Sequence, residues 1–309
     1  MTLGNETISV VVPTRNSERR IGKCLDSICN QSYKPSEIIV VDGHSVDKTV
    51  EQAQKFPVKI ILEDYGTVGG ARQVGVEKSK GEFVALTDDD TIPDRDWLKN
   101  LIKEFNDGIV GVGGRVKYVG NGSWGKSIAL CMNSLIGSGS SVQGRLYTNK
   151  RLVKSISGCN CMYLRKTLME VGGFNVGLSV NEDTELNRRI CKKGRLLYTP
   201  DATVSHLQDR GLRGFANRMY QFGYGRGKLR LWAPSCAPPL FVFLLVLSLP
   251  FTYWAFAFAS IAYMFALVSM GLKFAIRMRQ FKYIVLIPIV YVVEHFSYSI
   301  GFWKGLLRI

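Results

Sequence analysis

Cysteine and histidine are too few and too scattered here for the frameworks they usually build. The 309-residue chain holds seven cysteines, at positions 24, 29, 131, 159, 161, 191 and 236, and three histidines. There is no Cys-x-x-Cys pair, and Cys159-x-Cys161 is too tight for a usual zinc pair. An odd, dispersed set of thiols excludes a disulfide scaffold and points to a reducing compartment. The first residues show no basic stretch followed by an apolar one, so no secretory signal is expected there. Acids are also short: 25 Asp+Glu stand against 40 Lys+Arg. That excess implies an anionic partner, which can be nucleic acid, anionic lipid or a phosphorylated substrate.

Charge is missing altogether from Ala237 to Leu272. A soluble helical core rarely excludes charge for so long. The run exceeds one ordinary membrane span and suffices for two short ones, each needing about 20 residues. Pro250 and Thr252-Tyr253-Trp254 fall where a hairpin would turn. Lys273, Arg277, Arg279 and Lys282 follow, then a third apolar run from Tyr283 to Trp303, interrupted by Glu294 and His295. Those two are costly to expose to lipid and are expected to face protein or a headgroup-lined cleft. Residues 210–230, just ahead of the apolar part, are basic and aromatic. They read as an interfacial helix on an anionic surface, a solvated helical face being the alternative.

Residues 1–115 alternate strand and helix signals. Ile8–Val12 is an apolar run ending in Pro13-Thr14-Arg15-Asn16, and Glu37–Val41 ends in Asp42-Gly43-His44-Ser45. Lys59–Leu62 and Phe83–Thr87 are the third and fourth runs, with helix patterns up to Asn30, from Asp47, and over Ala71–Lys78. Unbroken β-branched strands between helices predict an α/β fold with a parallel, doubly wound sheet and right-handed crossovers. Strands one, two and four end in polar residues, which gathers a polar site along one sheet edge. Residues 116–200 are less regular and Gly-rich. Beyond them Arg195–Tyr198 and Ala202–His206 read as two strands.

The fourth run empties into Asp88-Asp89-Asp90, and Asp94 or Asp96 can cap a helix from Trp97 to Phe105. Carboxylates at the C-terminal end of a buried strand lie where open α/β sheets bind ligands. Asp88 and Asp90 share one side of an extended chain and can grip one divalent cation; an acidic helix-capping turn is the plainer alternative. A second acidic pair, Glu182-Asp183, opens a helical pattern over Thr184–Lys193, where the macrodipole alone already favours acids.

Six segments come in order: Val12-Pro13-Thr14-Arg15-Asn16, Val41-Asp42-Gly43-His44-Ser45, Gly69-Gly70-Ala71-Arg72, Thr87-Asp88-Asp89-Asp90, Gly172-Gly173-Phe174 and Glu182-Asp183-Thr184-Glu185-Leu186. Together, over roughly residues 6–210, the chain resembles the family 2 glycosyltransferases of the GT-A fold. The resemblance implies inverting transfer of a sugar from a nucleotide-sugar donor, UDP- or GDP-linked, aided by Mg²⁺ or Mn²⁺. It implies that Pro13, Thr14 and Asn16 touch the base and ribose and that Asp42 meets the base edge. Gly43-His44-Ser45 stands where an acid followed by Gly-Ser is commoner. Arg72, Asp88 and Asp89 fall at nucleotide-sugar-contacting positions. Asp90 is implied as the direct metal ligand with Asp88 beside it, and Asp183 as the general base. His206 can complete the metal site, although a lone histidine is more often structural. Glu182, Arg213, Arg218 and Arg226 can serve the acceptor or a phosphate.

These roles make chemical sense. A leaving nucleoside diphosphate gathers charge that a cation on hard oxygen ligands neutralises. The attacking hydroxyl needs a carboxylate base on the other face of the sugar. The Gln-x-x-Arg-Trp pattern of polymer-forming members is lacking, so single additions are expected. The C-terminal apolar part resembles membrane-bound members that act on polyprenyl-linked acceptors.

Gly120-Asn121-Gly122-Ser123-Trp124-Gly125-Lys126-Ser127 fits the P-loop expression, which makes an NTPase a rival reading. A non-catalytic, carbohydrate-binding membrane protein is another. Nucleic acid is not expected as a partner, because the basic stretch adjoins the apolar part. The expected organisation is a GT-A domain over 1–209, a basic interfacial segment over 210–232, and a membrane region over 233–309 with about three hydrophobic segments. The expected location is the cell membrane, multi-pass, with the catalytic domain cytoplasmic.

Overall fold

The computed structural model describes residues 6–134, 137, 148–231, 237–248 and 253–308. The chain divides into two compact units. One comprises Met1–Lys117 with Arg145–Leu207, the other Tyr118–Gly144 with Gln208–Ile309.

The first unit is built on β1 (Ile8–Thr14), β2 (Glu37–Asp42), β3 (Lys59–Leu62) and β4 (Phe83–Thr87), with α1 (Ile21–Cys29), α2 (Thr49–Ala53) and α3 (Val68–Lys78) between them. β1 and β4 are almost wholly buried. Burial on both faces is why they read as unbroken apolar runs. The order β3-β2-β1-β4 is parallel, as expected. Helix α3 can lie close on β1 because Gly75 has no side chain; a Cβ there would stand 2.2 Å from Val11 Cγ1.

Past β4 the sheet departs from the expected parallel form. After β5 (Thr91–Pro93), α4 (Trp97–Ile102), β6 (Ile109–Gly120), α5 (Gly122–Met132) and β7 (Arg151–Val153) comes β8 (Asn160–Leu164), which pairs antiparallel with β4. Then follow α6 (Arg165–Glu170), α7 (Glu182–Ile190) and β9 (Arg195–Gln208). The two strands expected near 195–206 are this single strand. It pairs with β7 through Leu196–Tyr198 and with β5 through Val204–His206, and Pro200 lies between the two pairings. Asp96 does precede α4, but no side-chain cap forms. Its Oδ1 accepts instead from Ser32 Oγ at 2.5 Å. Trp97, fully buried, donates from Nε1 to Asn160 Oδ1, and Asn160 Nδ2 donates to the carbonyls of Arg115 and Ala202. One side chain thereby joins three strands behind the acidic turn.

The second unit contains α5, α8 (Leu212–Lys228), α9 (Ala237–Ser248), α10 (Tyr253–Met278) and α11 (Tyr283–Leu307). Among the described residues the charge-free run is helical in two pieces of unequal length. It is a 12-residue helix and then a 26-residue helix that carries Lys273 and Arg277 in its last turns. Pro250 and Thr252 lie outside the described residues. Among the described residues, two helices, Tyr253–Met278 and Tyr283–Leu307, are long and apolar enough to cross a membrane.

Helix α8 packs backbone to backbone against α11. Cβ atoms built on Gly223 and Gly227 would stand 2.0 Å from Tyr298 O and 2.1 Å from Phe302 O. On Gly301 and Gly305 they would stand 2.1 Å from Tyr220 O and Tyr224 O. Two Gly-x-x-x-Gly ridges, one on α8 and one on α11, therefore bring the backbones into direct contact, as small residues do between membrane helices.

Candidate active site

The polar ends of β1, β2 and β4 meet as expected, and the sheet order explains why. β1 lies between β2 and β4, so their C-terminal turns are neighbours. Thr14, at the end of β1, donates from Oγ1 to Asp89 Oδ2 at 2.7 Å. Asn16 adopts a left-handed φ of 52°. Its Oδ1 accepts from Val46 N and its own N–H donates to Ser45 Oγ, tying the two loops together. Asp42 is 1% exposed, and both its oxygens accept from Ser45, from N at 2.9 Å and from Oγ at 2.5 Å. Its carboxylate shapes the 42–45 turn. The exposed group of that turn is His44, with Nε2 2.7 Å from Asp64 Oδ1.

The acidic turn is a tight construction. The Asp88 carbonyl accepts from Thr91 N, Thr91 Oγ1 and the Cys24 thiol. Burial, then the neighbouring Asp90, pushes the Asp89 carboxyl above its ordinary pKa; Ser17, Thr14 and Arg20 pull the other way. Asp90 is 6% exposed. His206 enters from β9, where it pairs with Thr91, and its Nε2 is 3.5 Å from Asp90 Oδ1. One ligand atom each from Asp88, Asp90 and His206 lie within 4.8 Å of one another. Two carboxylates and an imidazole form a donor set that would hold a divalent cation.

Arg72 is 3% exposed and not an open nucleotide-facing residue. Its Nη2 donates to Asp88 Oδ1 at 2.7 Å and its Nη1 to Glu182 Oε1. Burial disfavours the guanidinium charge, but Asp88 and Glu182 more than offset this, so Arg72 is held firmly protonated. Burial pushes the Glu182 carboxyl up against the pull of Arg72, with Asp183 adding to the rise. Glu182 is therefore a buried brace, and Asp183 is the half-buried acid beside it. Asp183 Oδ2 accepts from Gly158 N at 3.0 Å and Oδ1 from Thr184 N at 2.6 Å. A Cβ on Gly158 would stand 2.0 Å from Arg72 Nη1, so the bare backbone lets Arg72 pass while holding Asp183.

Two participants escape a sequence reading. Arg20 Nη1 is 3.7 Å from Asp90 Oδ2, and Gly158 carries no motif; only contact across the sheet reveals either. Five carboxylates, Asp88, Asp89, Asp90, Glu182 and Asp183, face the guanidinium groups of Arg20 and Arg72. That imbalance favours a bound cation. Arg213, Arg218 and Arg226 are on α8 in the other unit; Arg218 lies over the Phe222 ring at 4.6 Å. The P-loop-like segment is not a loop. The helix begins at Gly122, so Gly125 and Lys126 are helical and no phosphate-cradling turn exists there.

The model of the glycosyl transferase family 2 matches residues 9–172, more than half of the chain. The chain belongs to glycosyl transferase family 2. This family 2 protein is an inverting glycosyltransferase. It is similar to the dolichyl N-acetyl-alpha-D-glucosaminyl phosphate 3-beta-D-2,3-diacetamido-2,3-dideoxy-beta-D-glucuronosyltransferase of Methanococcus voltae, 26% identical over 97% of each chain. The glycosyltransferase AglE of Haloferax volcanii is 29% identical over 73% of this chain and 74% of its own. The GalNAc(5)-diNAcBac-PP-undecaprenol beta-1,3-glucosyltransferase of Campylobacter jejuni is 30% identical over 57% of each. Among solved structures, the mannosyltransferase PcManGT of Pyrobaculum calidifontis, in complex with GDP-Man and Mn²⁺, superposes with a TM-score of 0.60 at 18% identity, covering 99% of this chain and 88% of that one. These likenesses place the family 2 transferase in the GT-A fold.

Proposed function

We propose that this family 2 transferase moves a sugar from a UDP- or GDP-sugar to a polyprenyl phosphate- or diphosphate-linked acceptor at the membrane. The convergence of Asp88, Asp90 and His206 at the end of β4 carries the donor half of this reading. The names of the Methanococcus and Campylobacter relatives, which specify dolichyl phosphate and undecaprenyl diphosphate, support the acceptor half.

Asp88, Asp90 and His206 would hold Mn²⁺ or Mg²⁺, which when bound neutralises charge on the departing diphosphate. Thr14 and Asn16 line the donor end, with Pro13 and the Asp42 turn shaping it. Asp183 accepts the proton of the acceptor hydroxyl as that oxygen forms its bond to the anomeric carbon. The bond from that carbon to the phosphate oxygen breaks on the opposite face, which inverts the configuration. Arg72, braced by Glu182, holds Asp88 in place, and the Gly158 and Thr184 N–H groups hold Asp183. Residues 1–209 would form the transferase domain, on the cytoplasmic side of the cell membrane. Residues 210–232 and 233–309 would bring it to the lipid, with Arg213, Arg218 and Arg226 meeting lipid or acceptor phosphate.

A donor screen tests the reading. Nucleotide release is measured for UDP-, GDP- and dTDP-sugars with Mn²⁺ and a polyprenyl phosphate-linked acceptor. One UDP- or GDP-sugar should show acceptor-dependent release; no release from any donor overturns the proposal.

A further inference from the structure

The helical unit is layered, and the layers have opposite characters. Helix α11 forms the middle. Along its first half it meets α5: Lys282, which precedes α11, is 3.4 Å from Ser123, Ile287 O is 4.0 Å from Cys131 Sγ, and Tyr291 bonds Ser134 at 2.7 Å. Along its second half it meets α8 through the paired glycine ridges. Contacts advance in the same direction on all three helices, so α5 and then α8 flank α11 along its length. The outward residues of these flanking helices are polar: Asn121, Ser123 and Lys126, then Arg213, Asn217, Gln221 and Lys228 are all exposed.

On its other side α11 meets α10, antiparallel, with Gly271 against Ile284 and Tyr263 Oη 3.0 Å from His295 Nδ1. Helix α9 joins that side through Trp303 Nε1 on Pro239 O. This outer layer is apolar and bare: Trp254 is 80% exposed, Phe258 76% and Phe265 73%. Basic residues rim both ends of the layer. Lys273, Arg277, Arg279 and Lys282 stand exposed at one end of the α10–α11 pair, and Lys304 and Arg308 at the other.

We propose that this unit docks by its α9–α10 face into one leaflet of an anionic bilayer, with α11 lying in the membrane plane, and does not cross. Were α11 to cross, α5 and α8 would be carried with it. Exposed Arg213, Asn217 and Gln221 would then enter the hydrocarbon, and Glu294 would sit near its centre, all costly placements. A crossing hairpin also puts one basic rim on the far side, against the positive-inside bias. An in-plane plate places both rims on headgroups of one leaflet, where basic charge and apolar burial reinforce each other. Length and hydropathy alone would read α10 and α11 as a multi-pass hairpin; their partners argue otherwise. The proposal rests on the membrane association of the proposed function but not on sugar transfer.

The test uses the full chain in sealed vesicles of both orientations, labelled with a membrane-impermeant maleimide and mapped by peptide mass. Exposed Cys191 marks the side that bears the transferase unit. Gln280→Cys and Arg308→Cys, made singly, should both label from the Cys191 side. Labelling of either position only from the opposite side means that a helix crosses and overturns the proposal. Purified protein in flotation supplies a second reading. It should bind phosphatidylglycerol vesicles at least tenfold better than phosphatidylcholine vesicles, and Phe258→Lys with Phe265→Lys should abolish binding. Equal binding to both vesicles, unchanged binding by the variant, or a stable dimer that covers this face and binds no vesicle would each overturn it. Transfer activity is read separately by nucleotide release, so a silent donor screen leaves the labelling result intact.

Discussion

The two units differ in what their tightest contacts bury. The transferase unit buries charge: Arg72, Asp90 and Glu182 are each under 10% exposed, and each has its partner across the sheet. The helical unit buries backbone, with glycines on α8 and α11 that leave no room for a Cβ. Charge burial demands specific partners, since an unpaired buried charge is expensive. Backbone burial demands only small side chains and is indifferent to their chemistry. Substitutions should therefore act on turnover in the first unit and on packing in the second.

The largest effect is expected at Asp183, the proposed base. Asp183→Asn keeps size and hydrogen-bonding oxygen but removes the proton acceptor, so turnover should fall about 10²–10⁴-fold with nucleotide affinity little changed. Equal loss of UDP or GDP affinity in calorimetry would give Asp183 a binding role instead. Asp90→Ala should lower divalent-dependent turnover by about 10²-fold, several kcal/mol of transition-state stabilisation. Activity of that variant undiminished in excess EDTA would end the metal assignment.

Arg72→Met sharpens the contrast by leaving Asp88 and Glu182 without their shared cation. A loss of stability of about 3–5 kcal/mol is expected from breaking a buried pair, and Arg72→Lys should lose less. Denaturant unfolding measures both; a loss confined to nucleotide affinity would restore the nucleotide-contacting role. In the helical unit, Gly301→Leu forces side-chain atoms into the Tyr220 carbonyl and should cost about 1–3 kcal/mol, seen as a lower melting temperature. Nucleotide affinity should hold within a few-fold. The smallest effect is expected at Lys126, which is exposed on α5. Lys126→Ala should leave transfer within a few-fold, and ATP hydrolysis that disappears on this change would revive the NTPase reading.

Much of the site was legible because its residues sit at strand ends. Phe83–Thr87 and Lys59–Leu62 have the bounds the sequence indicates, and the polar segments after β1, β2 and β4 are adjacent because the strands are. Arg72 was legible as a site residue but not as a buried brace, since its two partners are 16 and 110 residues away. Asp42 was legible as an acid at a strand end; that Ser45 occupies both its oxygens is a property of the folded turn. In the antiparallel half, β9 was legible as two strands, whereas Gly-rich β6 shows neither a clean alternation nor an unbroken apolar run along its length.

By itself the sequence determined the family, the parallel half of the sheet, the acidic strand end and the presence of long apolar helices. Each is written in local order, as a run, a period or a motif. Tertiary structure alone decided that Arg72 joins Asp88 to Glu182, that Arg20 reaches Asp90, and that His206 is carried to Asp90 by the pairing of β9 with β5. It also decided that α11 has a polar-backed partner along its length while α10 keeps a bare apolar face. Composition makes those two helices look alike, at 26 and 25 residues and similar hydropathy. Hydropathy records what a side chain prefers, whereas burial depends on which neighbour the chain brings to it.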